Sequence, residues 1–323
     1  MTRLVAARPA GRLAERLFGG FFAEVSRNRY LFLLLLPAIV YFVTFHYLPM
    51  IGVVIAFQKY RVSLGFFRSP WVGLEQFRQF WSSIYSFPII RNTFLLSFYS
   101  LLFGFPIPII FAIALNEVRS KLHKRSIQTV SYLPFFISNV IAIGIVNMLV
   151  NPQTGVINLV LEEVFGLPKI FFLVEPEYFR GIYVTTVIWK SFGFTAVIYL
   201  AAIAGISQEL FEAATVDGAS KLQRIRNVTI PGIKNTMVVL LLIEIGNMMN
   251  VGFELVYLLY NPLTYETADV IATYVYRKGI AASVGLPNLS FAAAVGLFNS
   301  VVNTTLLLSA NAIARRWLGY SLF

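Results

Sequence analysis

The sequence predicts an all-α, polytopic membrane protein with six transmembrane helices, and three observations carry that fold class. Of its 323 residues 58% are apolar and only 13% charged, where soluble domains carry roughly 25% charge. The mean hydropathy of +0.73 is sustained along the chain and not supplied by one anchor. Six separate apolar runs reach the ~20 residues that a bilayer-crossing helix needs.

The same composition narrows the chemistry. Cysteine is absent, which removes disulfides, thiolate catalysis and Cys-bound zinc together. The histidines are His46 and His123 and the aspartates Asp217 and Asp269, too few and too scattered for a His-rich or Asp-rich metal site. No catalytic residue and no metal ligand is assigned. The net charge of +11 is explained first by loop charge that sets orientation, not by nucleic acid.

In chain order, residues 1–30 are basic and broken by Gly11, Gly19 and Gly20, without the small-residue cleavage site of a secretory leader. Residues 13–25 intersperse Glu15, Arg16 and Glu24 with apolar side chains and read as an amphipathic helix on the inner membrane surface. The predicted spans are 31–57, 89–115, 127–150, 180–206, 234–259 and 290–313. Pro37 and Pro49 bend the first, and Pro88, Pro106 and Pro108 the second. Between the third and fourth, Asn151-Pro-Gln-Thr-Gly signals a turn, and the apolar spacing after it a small external helix.

Basic residues orient the array. With the N-terminus inside, the inner segments hold sixteen, among them Arg119, Lys121, Lys124, Arg125, Lys221, Arg224, Arg226, Lys234, Arg315 and Arg316, and the outer loops seven. Both termini are therefore expected in the cytoplasm.

The inner segment 207–233 has a pattern of its own. Residues 208–216 favour helix, Gly218 supplies the positive φ that ends it, and a second helix is predicted from Ser220 to about Thr229, where Pro231 forbids continuation. This is a cytoplasmic helix-turn-helix with small residues and an apolar knob that suit a partner's groove.

Glu212-Ala213-Ala214, Asp217-Gly218-Ala219 and Ile230-Pro231 resemble the coupling loop of permease subunits in binding-protein-dependent ABC importers. Tyr132-Leu-Pro-Phe-Phe-Ile-Ser, Thr154-Gly-Val-Ile-Asn, Ile198-Tyr-Leu-Ala-Ala-Ile-Ala-Gly-Ile and Asp269-Val-Ile-Ala-Thr-Tyr-Val-Tyr extend the resemblance over about 30–323. They are similar to the carbohydrate-uptake branch, most of all to permeases for polysaccharide-derived oligosaccharides, the alginate-oligosaccharide importer among them. One departure is Arg224 to Arg226 around Ile225, where many relatives place a large aromatic.

The resemblance implies a type I ABC importer permease fold in the bacterial inner membrane. It implies a second homologous permease, two ATP-binding cassette subunits that hold ATP and Mg²⁺, and a solute-binding protein that delivers an oligosaccharide. The chain itself has no Gly-x-x-x-x-Gly-Lys-Ser/Thr phosphate cradle and no cofactor of its own. Carried over by the loop, the coupling residues are Glu212, Ala213, Ala214, Asp217, Gly218, Ala219, Ile225 and Pro231.

Polar residues inside the spans are the candidates for a cargo path. Glu244, Asn247 and Asn250 recur every three residues, so they share one face of the predicted fifth span, with Met248 beside them. A carboxylate at that depth calls for water or a partner, while the asparagines suit either a cavity or hydrogen bonds between helices. In the fourth span Trp189, Lys190, Ser191 and Phe194 offer aromatic faces and polar groups to a sugar; Trp189 is equally suited to packing. Lys190 is either the counter-ion of Glu244 or faces an acidic sugar. Aligned on the loop, positions 187–194 and 244–250 match those that carbohydrate permeases use around their translocation cavity. Asn299 and Asn303 read as packing contacts. Two other classes stay open at this level: a secondary transporter, against which the absence of visible internal symmetry speaks, and a membrane-embedded glycan-processing enzyme, which would have few acid and base groups.

Overall fold

A computed structural model describes residues 27–281 and 287–319; the amphipathic helix expected over 13–25 lies outside them. The described residues are nearly all helical, with a single isolated bridge between Gln58 and Trp71. Two compact units are distinguished, one up to Ile55 and one from Ala56 onward.

The first span runs Arg29–Phe57 and buries none of its apolar window. Pro37 lies inside its α-helical part. A wide π turn, Val43–Tyr47, precedes Pro49 and absorbs the backbone hydrogen bond that a proline cannot donate.

In the second unit the spans are Ser86–Asn116, Pro176–Ala204, Lys221–Gly246 and Leu289–Arg316, with the bent pair Lys121–Phe136 and Asn139–Val150 between the first two. The fourth span, Pro176–Ala204, is the hub that packs along the second, third and fifth. Towards its outer end Phe179, Tyr183 and Val184 join Leu96, Ile143, Val256 and Val270 in one buried cluster. Towards its inner end Ala196, Tyr199 and Ile203 join Ile109, Ala112 and Ile233 in another. Gly193 sits where the third span crosses: a Cβ there would collide with the Ser131 carbonyl, so the crossing requires glycine.

Three expectations are corrected. The third span is not one straight helix: its halves meet at 104°. Pro134 lies just before the break, Ile137 is extended, and the Ser138 hydroxyl caps the second half by accepting from Ile141 N at 3.3 Å. Pro134 and a capping serine together stop one helix and start another. The fifth span does not reach 259: it ends at Gly246, and Phe253–Leu259 is a separate helix. There the Asn247 amide bonds back to Ile243 O at 3.1 Å, and Asn303 of the sixth span captures Met249 N at 2.9 Å. Pro231, finally, does not stop the second short helix. Lys221–Arg224 passes through a π turn, Ile225–Thr229, straight into Ile230–Gly246. The Ile230 N–H bonds to Ile225 O, and this wider turn accommodates the proline ring and its missing donor.

The external helix forms as expected, over Val156–Glu163. It is anchored by buried Asn158, which donates to Val150 O, Asn151 O and Ile170 O and accepts from Ile170 N. A second external segment, 253–280, is held by Asp269, whose two carboxylate oxygens accept from the Arg277 guanidinium at 3.2 and 2.6 Å. The Thr273 hydroxyl donates to the same carboxylate at 2.8 Å, and Arg277 lies over the Tyr265 ring. Burial by itself would lower the Arg277 pKa, but the Asp269 hydrogen bond and charge outweigh it and hold the guanidinium above its ordinary range. Burial, followed by the neighbouring Tyr265, pushes the Tyr260 hydroxyl up to about 12.

Candidate functional site

Two places gather the residues singled out in the sequence. The first is cytoplasmic. The helix Gln208–Val216 begins at Ser207, which caps Glu209 N, and ends at Asp217. Gly218 follows with φ 76°, and Ala219 N returns to Ala214 O at 2.9 Å, the closure that a left-handed glycine permits. Ser220 and Gln223 then form a capping box for Lys221–Arg224. Arg224 ties the two short helices together by donating to the Thr215 hydroxyl at 2.8 Å.

Glu212 and Arg224 line a cleft of about 710 Å³ with Asn116, Glu117, Phe211 and Val216. Ala213 and Ala214 lie on the same short helix, Ala213 exposed. Ile225 is in the π turn, and exposed Pro231 is in the first turn of the fifth span's long helix. Leu210, Leu222 and Val216 stand exposed, Val216 at 87%. Small side chains flanked by apolar knobs on a capped, rigid pair of helices give a surface shaped to enter a groove.

The second place is a cavity of about 470 Å³ between the second, fourth and fifth spans and the turn after the fifth. Ser191, Glu244, Asn247, Met248 and Asn250 all line it. They come together although the helix that was to align three of them ends at Gly246. Asn250 accepts from Asn299 of the sixth span at 3.0 Å, so it serves helix contact as well as cavity wall.

Trp189, Lys190 and Phe194 do not line this cavity. Trp189 faces a separate, apolar pocket with Ile145, Leu149, Ile157 and Phe172. Phe194 stacks on Phe135 with ring centroids 4.0 Å apart. Lys190 is neither the counter-ion of Glu244 nor directed at the cavity. It donates to Ile137 O at 2.9 Å and to the Asn139 side chain, and so straps the break in the third span. A helix end left open by a break offers unpaired carbonyls, and a nearby ammonium finds them. Asn139 passes the strap on to Glu254 at 2.6 Å.

The cavity also has polar walls that the sequence did not single out: Ser97, Ser100, Tyr183 and Thr195. The Ser100 hydroxyl is buried without a protein partner, an orphan that suits a ligand or water. Ser97 and Ser100 are three residues apart in an apolar span, a spacing that carries the signal. Tyr183, Ser191 and Thr195 likewise repeat near the helical period on the fourth span. Hydroxyls, an amide and a carboxylate around an apolar wall can replace the water around a sugar's hydroxyls as it passes.

Residues 104–319 match the family model described as "Binding-protein-dependent transport system inner membrane component". Protein LplB of Bacillus subtilis is 43% identical over 295 residues, 91% of each chain. The polygalacturonan/rhamnogalacturonan transport system permease YteP of the same organism is 40% identical over 294 residues, covering 91% of this chain and 90% of that one. A solved bacterial alginate ABC transporter, in complex with an alginate pentasaccharide-bound periplasmic protein, contains a chain 43% identical with a TM-score of 0.84, covering 93% of this chain and 99% of that one. With its cytoplasmic helix pair, its polar cavity between spans and its likeness along nearly the whole length, this chain belongs to the family of inner-membrane components of binding-protein-dependent transport systems.

Proposed function

We propose that the chain passes acidic oligosaccharides, of the kind released from uronic polysaccharides, from a solute-binding protein outside to the cytoplasm by alternating access. It is a multi-pass subunit of the inner membrane and a translocation component of a sugar ABC importer, not an enzyme. It pairs with a second homologous permease and with two ATPase subunits that bind ATP and Mg²⁺, and the segment 207–233 carries their motion into the spans. Residues 31–323 act as one permease domain, with 1–30 on the cytoplasmic side.

The single observation that carries the oligosaccharide reading is the cavity in which Ser191, Glu244, Asn247 and Asn250 converge; the acidic character of the cargo is drawn from the relatives. The cavity sits in a chain whose relatives of 40 and 43% identity transport polygalacturonan or rhamnogalacturonan and alginate. The test is reconstitution with a second permease, the ATPases and a solute-binding protein of the same transport system, followed by uptake of labelled uronic trisaccharide into proteoliposomes. ATP-dependent accumulation that requires the binding protein is expected; its absence overturns the cargo reading.

A further inference from the structure

The outer end of the fourth span holds a cation that the coupling and cavity residues do not account for. Arg180 precedes Tyr183, Val187, Ser191 and Thr195 on the same face of the fourth span; those four line the cavity, and Arg180 lies outward of them without being part of its wall. Arg180 donates to the Asn92 side-chain oxygen at 3.1 Å, and Arg91 approaches the same oxygen at 3.5 Å. Two guanidiniums thus converge on one neutral acceptor.

No carboxylate forms an ion pair with either arginine among the described residues, although the Glu266 charge acts on Arg180 from a longer distance. Asp269, the buried acid nearby, has both oxygens gripped by Arg277. Glu266 offers its backbone carbonyl to Arg91 at 3.3 Å and to Asn92 at 2.9 Å, and its side chain forms no ion pair with either arginine among the described residues. The Asn92 amide nitrogen is taken by Glu266 O and by Asp269 O at 3.2 Å, which aims its oxygen at the guanidiniums. Arg180 Nε is buried without any partner. A buried donor of a charged group left unpaired is costly, and a second like charge adds to it.

We infer that Arg91 and Arg180, set around Asn92 outward of the cavity, form a clamp for the carboxylate of a uronic acid residue entering from the binding protein. A carboxylate accepts two parallel N–H bonds from one guanidinium and is the planar anion this fork fits. Through the terminal nitrogens it would neutralise the facing pair and hold an acidic sugar outward of the Tyr183 to Thr195 stripe. Neutral sugars gain none of this. The inference rests on the proposed oligosaccharide import and adds the residues that select for charge.

The test uses the assembled complex in nanodiscs of zwitterionic lipid, without binding protein, and two probes: trigalacturonate and its carboxyl-reduced, neutral counterpart. Saturation-transfer NMR is expected to show wild type holding the acid at least tenfold tighter than the neutral form. Arg180→Gln and Arg91→Gln are each expected to erase that preference. Equal binding of both probes by wild type, or a preference that survives both substitutions, overturns the clamp. Reduced recovery of the complex, or reduced affinity for the loaded binding protein, shows instead that the arginines serve a protein carboxylate and also overturns it. Uptake of trigalacturonate by the wild-type system is measured alongside: no uptake overturns the import reading, whereas uptake without charge preference at these arginines overturns the clamp alone.

Discussion

Lys190 Nζ donates to the main-chain oxygen of Ile137 at 2.9 Å, which joins the middle of the fourth span to the break in the third. A half-buried cation among spans reads at first as a group for an anion. Here its partners are a carbonyl freed by a helix end and the side chain of Asn139. The two bonds tie the fourth span to the 104° bend of the third.

Lys190→Met removes both bonds and leaves the Ile137 carbonyl and the Asn139 side-chain oxygen without this donor, at a cost of about 1 to 3 kcal/mol. The thermal midpoint of the purified complex is expected to fall, and uptake of acidic and neutral oligosaccharides to fall together. A loss confined to acidic cargo would place Lys190 in the cargo path after all.

Asp269 and Arg277 supply a second test in the external segment. Arg277→Leu strands a carboxylate that is only 4% exposed and is expected to destabilise the complex by about 3 to 5 kcal/mol. Asp269→Leu combined with Arg277→Leu should recover a substantial part of that loss, because no charge is then left uncompensated. Thermal unfolding of the four-member mutant cycle measures it; equal destabilisation by the single and double variants would show that the pair is not acting as a unit.

Gly218 has φ 76°, a conformation costing a β-branched residue roughly 1 kcal/mol or more. Gly218→Val should therefore misaim the helix that begins at Lys221 and lower the ATPase stimulation produced by the loaded binding protein. Gly218→Asn should retain most of it, since asparagine tolerates this region. Identical stimulation in the two variants would remove the backbone argument.

Glu212→Lys reverses an exposed charge on the cytoplasmic cleft without touching a span. Membrane abundance is expected to stay normal while co-purification of the ATPases, or coupled uptake, falls at least tenfold. Unchanged uptake would mean that the segment 207–233 does not transmit the ATPase cycle through this face.

Asn247→Leu tests the cavity. A sugar hydroxyl that loses its partner there costs about 1 to 3 kcal/mol, which is tenfold or so in affinity, and only for cargo presenting that hydroxyl. Uptake across a series of oligosaccharides should change in rank, with ATPase stimulation kept. A uniform loss would assign Asn247 to closing the fifth span through its bond to Ile243.

Local patterns determined much of this by themselves. Apolar runs longer than a bilayer specify spans whatever they pack against, and the basic bias of the loops orients them. The short helix Gln208–Val216, its left-handed Gly218 and the capped start at Ser220 follow from neighbours in sequence, because caps and positive φ are local chemistry. What lies beyond Arg224 was not local. Pro231 is an ordinary helix stop unless a π turn precedes it, and that turn forms where Ile225–Thr229 continues into the fifth span.

The tertiary structure also decided which polar side chains meet. Glu244, Asn247 and Asn250 reach one cavity through a turn that Asn303 helps to make by capturing Met249 N, a bond between residues 54 apart. Lys190 and Ser191 are adjacent in sequence, yet the first points to the third span and the second into the cavity, since successive residues on a helix face directions about 100° apart. Composition names the groups that could bind a sugar; only the packing of the spans against one another determines which of them are left facing water.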